Sequence, residues 1–239
     1  MKKKSNLKSI RLNKFIALSG HCSRRKADDL IIRERVKING IICSKLGIKV
    51  NINDLVTVDG KSIIPERKQY ILLNKPKGFT IKNNSKGKNA LDLLKKIEEK
   101  LYPVGELDDD TSGLLLFTND HELLDKLISP SFKLKTIYSV RLDKAISKSD
   151  IELIKSGLII DKKKISVEKA IKLENDNEVG IEINGNKNKI FKTIFKTINL
   201  KIIKLDRVMI GPLTKKDLPR GKWRNLKNNE VRNLKSLLN

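Results

Sequence analysis

Cysteine, histidine and aromatic side chains are scarce in this chain, and each scarcity closes off a class of function. Two cysteines, Cys22 and Cys43, cannot build a disulfide framework, and with only His21 and His121 beside them no CxxC or HxxxH spacing for zinc exists. The thiols read as half-buried groups in a reducing compartment. Aromatics make up 4% of the residues, which leaves few rings to stack on nucleobases. No apolar run approaches the ~20 residues of a membrane-spanning helix. Met1-Lys2-Lys3-Lys4 has the charge of a secretory n-region, but no apolar stretch follows, so residues 1–9 read as a solvated basic tail. Acidic residues are short as well: 28 against 52 Lys and Arg, a formal net charge of +24. A compact chain with that charge repels itself, and a polyanion is the usual partner that offsets it. Lysine far exceeds arginine while Ile and Asn abound, the pattern of an AT-rich coding sequence, so placed basic residues say more than the total. The expectation is a cytoplasmic monomer that works without a membrane or a metal site.

Against that basic background one stretch stands apart. Asp108, Asp109 and Asp110 lie in one turn between Val104-Gly105-Glu106-Leu107 and Thr111-Ser112-Gly113, and the chain then runs into Leu114-Leu115-Leu116-Phe117 and Thr118-Asn119-Asp120. Burial and neighbouring charge set carboxylate reactivity, so an acidic cluster abutting an apolar strand is a candidate catalytic site. An acidic surface turn explains the same spacing, because Asp and Gly are common in turns. Spacing alone leaves the two readings level.

Residues 10–64 read as a separate helical module ending in short strands. Leu12, Phe15, Ile16 and Leu18 form a helical apolar face closed by Ser19-Gly20. Ser23 is a candidate N-cap for a second helix, with Ala27, Leu30 and Ile31 facing inward. Arg24, Arg25 and Lys26 occupy its first turn, where cations oppose the helix dipole at a cost of ~0.3–1 kcal/mol. Val36-Lys37-Ile38 leads into the Asn39-Gly40 turn, and Asp54-Leu55-Val56-Thr57-Val58 is a further strand. In order and spacing, Arg11-Leu12-Asn13-Lys14-Phe15, Ser23-Arg24-Arg25-Lys26-Ala27, Val36-Lys37-Ile38-Asn39-Gly40 and Asp54-Leu55-Val56 resemble an S4 RNA-binding domain. The resemblance implies phosphate contacts from Arg11, Lys14, Arg24, Arg25, Arg33 and Lys37. The alternative for any charge run is a solvated helix face.

Residues 65–69 form a short polar connector, and residues 70–239 a larger domain. Strands are expected at 70–73, 137–142, 167–173, 179–183 and 200–210, and helices at 90–97, 121–128 and 189–198. No steady βαβ rhythm emerges. The fold class is therefore α+β: a small N-terminal S4-like module, then a catalytic domain on a mixed, mostly antiparallel sheet with flanking helices.

Asn74-Lys75-Pro76-Lys77-Gly78, the stretch from Gly105 to Asp120, and Lys135-Thr136-Ile137-Tyr138-Ser139-Val140 resemble the RsuA/RluB-type pseudouridine synthases. Leu205-Asp206-Arg207-Val208-Met209-Ile210-Gly211-Pro212-Leu213 and Gly221-Lys222-Trp223-Arg224-Asn225-Leu226 with Glu230 extend the likeness towards the large-subunit branch. That resemblance implies a pseudouridine synthase fold and cofactor-free isomerisation of uridine in ribosomal RNA. It implies Asp108 as the catalytic aspartate, Tyr138 as the ring that stacks on uracil, and Lys192 as the basic partner of Asp108. Leu205 becomes the apolar floor under the base, and Lys75, Lys187 and Lys189 further substrate contacts. Asp109 and Asp110 fall at positions the family leaves variable.

The chain departs from the family twice. Glu106 stands where the family has Arg, which brings a second carboxylate near Asp108. Residues 187–193 carry Lys, Ile and Thr where the family runs Arg-Asn-Arg-Gln-x-Arg-Arg, so charge is kept but the bidentate fork is lost. Two other functions compete. One is a non-enzymatic RNA-binding assembly factor. The other is a Mg²⁺-dependent nuclease using the three aspartates, which alternating side-chain directions in an extended segment disfavour.

Overall fold

The computed structural model describes residues 9–51, 53–65, 67–82, 87–160, 163–185 and 190–238. The chain divides into two compact units, one ending at Arg67 and the other beginning at Lys68. Among the described residues no helix is long and apolar enough to cross a membrane.

In the first unit, α1 (Leu12–Leu18) and α2 (Arg24–Ile32) precede β1 (Val36–Ile38), β2 (Ile41–Cys43), β3 (Val56–Val58) and β4 (Lys61–Ile63). Leu12, Phe15 and Ile16 recur at helical spacing and meet Ala27, Leu30 and Ile31 of α2 over Val36, Val56 and Val58. The Ser23 side chain accepts from the Lys26 amide and so starts α2 after the Gly20 break. The strands run antiparallel in the order β2-β1-β3-β4. Each hairpin turns on a pair of residues with positive φ, Asn39-Gly40 and Asp59-Gly60, the pairing that two-residue turns demand. Arg35 clamps Asp59 through Nε at 2.6 Å and Nη2 at 2.5 Å.

The second unit is a nine-stranded sheet with helices on both faces. Its strands are β5 (Tyr70–Lys75), β6 (Ser112–Thr118), β7 (Lys135–Leu142), β8 (Lys169–Lys172), β9 (Glu178–Asn184), β10 (Ile202–Ile210) and β11 (Trp223–Asn225), in the order β8-β9-β7-β10-β6-β5-β11, with short strands Tyr102–Pro103 on β6 and Leu213–Thr214 on β10. All pairs are antiparallel except β6 with β10. The expected α+β architecture, a mixed and mostly antiparallel sheet with flanking helices, is the one seen. Every residue of β6 is buried, which is why Leu114-Leu115-Leu116-Phe117 shows no apolar–polar alternation. One face packs on α4 (Lys148–Ser156) and α5 (Ile190–Thr197), the other on α3 (His121–Ile128) and α6 (Asn228–Ser236).

Several local expectations change. β5 runs on to Lys75 rather than stopping at Leu73, because Asn74 and Lys75 are buried in the sheet. The helix expected over residues 90–97 is a short 3₁₀ stretch, Ala90–Leu94, opened by a capping box of Asn89 and Asp92. The helices α4 and α6 were not foreseen, although Ser147 and Asp150 form a capping box at the start of α4. Residues 1–8 of the basic tail, Glu66, residues 83–86 and residues 186–189 lie outside the described residues.

The parallel step is short and tight. Ser112 pairs with Asp206 and Gly113 with Arg207. A Cβ on Gly113 would stand 2.3 Å from the Arg207 carbonyl oxygen and 2.4 Å from its amide nitrogen, and its φ is +114°. Gly113→Ala should therefore lose about 2–4 kcal/mol of stability through combined overpacking and backbone strain. Urea unfolding measures this, and a loss under about 0.5 kcal/mol contradicts the tight pairing.

Candidate active site

The acidic turn closes on itself through the Thr111 amide, which donates to the Asp108 carbonyl at 3.1 Å. The Gly78 amide donates to the Asp109 carbonyl at 2.6 Å, so the segment after β5 holds the turn from one side. Gly78 has φ +84°, a conformation that suits Gly at this bend. Asp108 is half-buried, while Asp109 and Asp110 are exposed.

Two clefts flank the turn. One, of about 400 Å³, is lined by Gly78, Glu106, Leu107, Asp108 and Asp109. The other, of about 490 Å³, is lined by Lys77, Asp110, Thr111, Lys192, Lys196 and Leu205. Asp108 lines the first and Leu205 the second, and neighbouring aspartates of the turn, Asp109 and Asp110, border the two. Lys192 meets the turn at Asp110, Nζ to Oδ2 2.7 Å, not at Asp108. Burial pushes the Asp110 carboxyl up, but the Lys192 hydrogen bond outweighs it and the pKa falls below its ordinary value. The same contact raises Lys192, with Asp108 and Asp109 adding to the pull.

Beneath the turn lie two buried cations. Lys75 donates to the Pro76 carbonyl at 3.1 Å and the Phe79 carbonyl at 2.7 Å. Burial drives its pKa down to about 8, against the pull of Asp109 and with the push of Arg207. Arg207, 1% exposed, donates from Nε to the Leu114 carbonyl at 2.7 Å. Its Nη1 reaches the Glu106 carbonyl at 3.3 Å and the Tyr138 hydroxyl at 3.5 Å. Its Nη2 is buried without a partner among the described residues.

Tyr138 is paired across the sheet with Arg207, just after a register shift between Ile137 and Tyr138. Such a bulge re-aims the side chain that follows it. The ring is 1% exposed and meets Phe191 at a centroid distance of 4.8 Å and a tilt of 58°. Of the resemblance-derived residues, Asp108, Tyr138, Lys192, Leu205 and Lys75 thus gather around one turn, while Lys187 and Lys189 lie outside the described residues. In the first unit Arg11, Arg24, Arg25, Arg33 and Lys37 are exposed and Lys14 is half-buried.

Arg207 and the Asp206 network had no role assigned from sequence. Asp206 is buried and accepts from Arg220 Nη1 at 2.8 Å and Nη2 at 3.0 Å, Lys215 Nζ at 2.5 Å and Ser112 Oγ at 3.0 Å. Arg220 also reaches Asn74 Oδ1 at 3.0 Å, and Asn74 Nδ2 donates to the Leu218 carbonyl at 2.7 Å. The legible signal was an adjacent acid and base, Asp206-Arg207, inside a mostly apolar strand.

Burial raises the Asp206 carboxyl, yet its hydrogen bonds to Arg220 and Lys215 outweigh this and hold the pKa at about 2. A carboxylate with a depressed folded pKa stabilises the fold above its unfolded value, and that stability is lost as pH falls through the folded value. Asp206 should therefore contribute about 2 kcal/mol at neutral pH and lose it between about pH 4 and pH 2. Unfolding of wild type and Asp206→Asn across that window checks this. Parallel pH profiles would contradict it.

Residues 69–208 match the model for RNA pseudouridylate synthase, and residues 10–56 match the S4 domain. The chain is 34% identical over 234 residues to ribosomal large subunit pseudouridine synthase B of Bacillus subtilis, covering 95% of this chain and 96% of that protein. It is 35% identical over 232 residues to an RNA pseudouridine synthase of Aquifex aeolicus, covering 94% of this chain and 93% of that one. It is 30% identical to the dual-specificity RNA pseudouridine synthase RluF of Escherichia coli, covering 96% of this chain and 80% of the other. A crystal structure of a pseudouridylate synthase superposes with a TM-score of 0.64 at 27% identity, covering 95% of this chain and all of that one.

Proposed function

The chain belongs to the RNA pseudouridylate synthase family, and from that premise we propose that it isomerises uridine in ribosomal RNA, with large-subunit RNA the favoured substrate. The observation that carries the proposal is the tie from the Asp108 turn through Arg207 to Tyr138, all inside the matched region. The S4 unit and the basic surface suit a folded RNA rather than a free nucleoside. The enzyme acts in the cytoplasm as a monomer, without metal or cofactor.

The reaction needs a uridine turned out of the stack, at a cost of a few kcal/mol that pocket and phosphate contacts offset. Asp108 then acts at the ribose, as nucleophile at C1′ or as base at C2′. The C1′–N1 bond breaks with its electron pair left on the uracil. The ring turns while held, C5 bonds to C1′, the C5 proton is lost and N1 takes up a proton. Tyr138 stacks on the base, and Leu205 forms the apolar floor. Since Phe191 covers the Tyr138 ring, substrate binding shifts Phe191 to uncover a stacking face. Lys192 serves through Asp110: the pair fixes the far side of the turn and keeps Asp108 unencumbered for the sugar. Lys75 supports the turn from below, and Lys187 and Lys189 contact the nucleotide backbone. In the S4 unit, Arg11, Lys14, Arg24, Arg25, Arg33 and Lys37 grip phosphates.

Pseudouridine mapping of ribosomal RNA tests the whole reading. Wild type should introduce pseudouridine at a defined uridine, Asp108→Asn should cut the rate by about 10⁴-fold or more, and EDTA should change nothing. Identical maps for the two proteins would sink the assignment, and loss of activity on chelation would point to metal chemistry. Separately, Arg24→Glu with Arg25→Glu should lower the salt slope of RNA binding by roughly 1.4–1.8, the value for two lost phosphate contacts. An unchanged slope would remove α2 from the RNA surface.

A further inference from the structure

Gly113, Arg207 and Tyr138 form one row across β6, β10 and β7, through the pairs Gly113–Arg207 and Tyr138–Arg207. Side chains paired in this way share a sheet face. Gly113 contributes no side chain, and its backbone lies so close to that of Arg207 that even a methyl group has no room. The Arg207 guanidinium binds the carbonyls that bracket the acidic turn, Glu106 two residues before Asp108 and Leu114 shortly after Thr111. The same Nη1 meets the Tyr138 hydroxyl. Guanidinium is a rigid plane with its donors in a fixed fork, so groups bound to it hold a fixed separation.

Fold maintenance alone is a poor account of this residue. A buried guanidinium costs several kcal/mol unless paired, and Arg207 has only neutral oxygens as its hydrogen-bond acceptors. The adjacent charge, Asp206, is neutralised by Lys215 and Arg220. One Arg207 nitrogen makes no hydrogen bond among the described residues. A methionine would fill the space at less electrostatic cost.

We propose that Arg207 is a positioning residue for the isomerisation: its guanidinium sets the distance and angle between the Asp108 turn and the Tyr138 ring. This rests on the reading of Asp108 and Tyr138 given above. It places at the sheet centre a precision that neither the turn nor the ring has alone. A displacement of about 1 Å at reacting groups costs on the order of 10²-fold in rate.

Arg207→Lys keeps the charge and loses the fork, whereas Arg207→Gln loses both. Each should lower kcat by about 10²-fold while KM for RNA stays within about twofold, because phosphate contacts are untouched. The loss should be non-additive with Tyr138→Phe, the double variant falling well short of the product of the two singles. Hydrogen exchange gives a readout that needs no turnover. In Arg207→Lys the amides of Thr111 and Gly78 should exchange at least about tenfold faster while the core of β7 stays protected, a local rather than a global opening. If Arg207→Gln fails to fold, Arg207→Lys and Tyr138→Phe still complete the kinetic and exchange comparison.

Wild-type kcat in folded Arg207→Lys would overturn the proposal. So would a multiplicative cycle with Tyr138→Phe, or exchange that is unchanged or uniformly faster. Should wild type itself isomerise no uridine, the enzymatic reading fails on its own, and the exchange experiment still decides whether Arg207 orders the turn.

Discussion

Two buried charges of opposite sign sit side by side in β10, and much of the larger unit is arranged to accommodate them. Asp206 and Arg207 are each almost fully buried in a strand whose other buried side chains are apolar. Successive residues of a strand face opposite sides, so the two cannot neutralise each other. Asp206 draws in Lys215 and Arg220 from the C-terminal segment and Ser112 from β6. Arg207 turns to carbonyl oxygens around the acidic turn and to Tyr138. The first set joins the C-terminal segment to Asn74, and the second reaches the Glu106 carbonyl at the start of the turn that carries Asp108. A single pair of residues thereby anchors both faces of the sheet at the point where its one parallel step occurs.

This arrangement also explains why Thr111, Ser112 and Gly113 follow the carboxylates. Thr111 returns its amide to Asp108 and closes the turn. Ser112 answers Asp206, and Gly113 yields room for the Arg207 backbone. What reads in sequence as a turn break is three separate fits to β10. The apolar run Leu114 to Phe117 then divides its side chains between two cores: Leu115 and Phe117 face α4 and α5, and Leu114 and Leu116 face α3 and α6. Burial on both faces explains the missing period-two pattern and fixes the strand in the sheet interior, so the turn at its head is held by a rigid element.

The readable parts of the sequence were those governed by local chemistry. Ser23 announced its cap, Asn39-Gly40 its hairpin, and the helical spacing of Leu12, Phe15 and Ile16 its buried face. The resemblance carried by the stretch from Gly105 to Asp120 pointed to Asp108, which the fold sets half-buried at the head of β6. Less readable were properties that arise only when distant strands meet. Lys192 and Asp110 are far apart in the chain, and nothing in either neighbourhood names the other as its partner. Arg207 stood in plain view beside Asp206, but its contacts lie at Glu106, Leu114 and Tyr138, on other elements of the sheet.

The Glu106 departure takes a different meaning in this setting. Its backbone, not its side chain, supplies the contact that Arg207 needs, and any residue offers the same carbonyl. The turn therefore keeps its hold on β10 even though the charge at this position is reversed. What changes is the field around it: Glu106 joins Asp108, Asp109 and Asp110 to make four carboxylates within five residues. Close like charges are tolerated only where cations balance them. Lys192 binds Asp110 from the side, and Lys77 lines the same cleft. From below come Lys75 and Arg207, both too deep to be screened by salt as surface charges are. Lysine replaces arginine above the turn at modest loss, since a point charge suffices to balance a carboxylate. Beneath it the Arg207 guanidinium meets three acceptors, on Leu114, Glu106 and Tyr138, a spread of contacts that suits a fork of fixed donors better than a single ammonium.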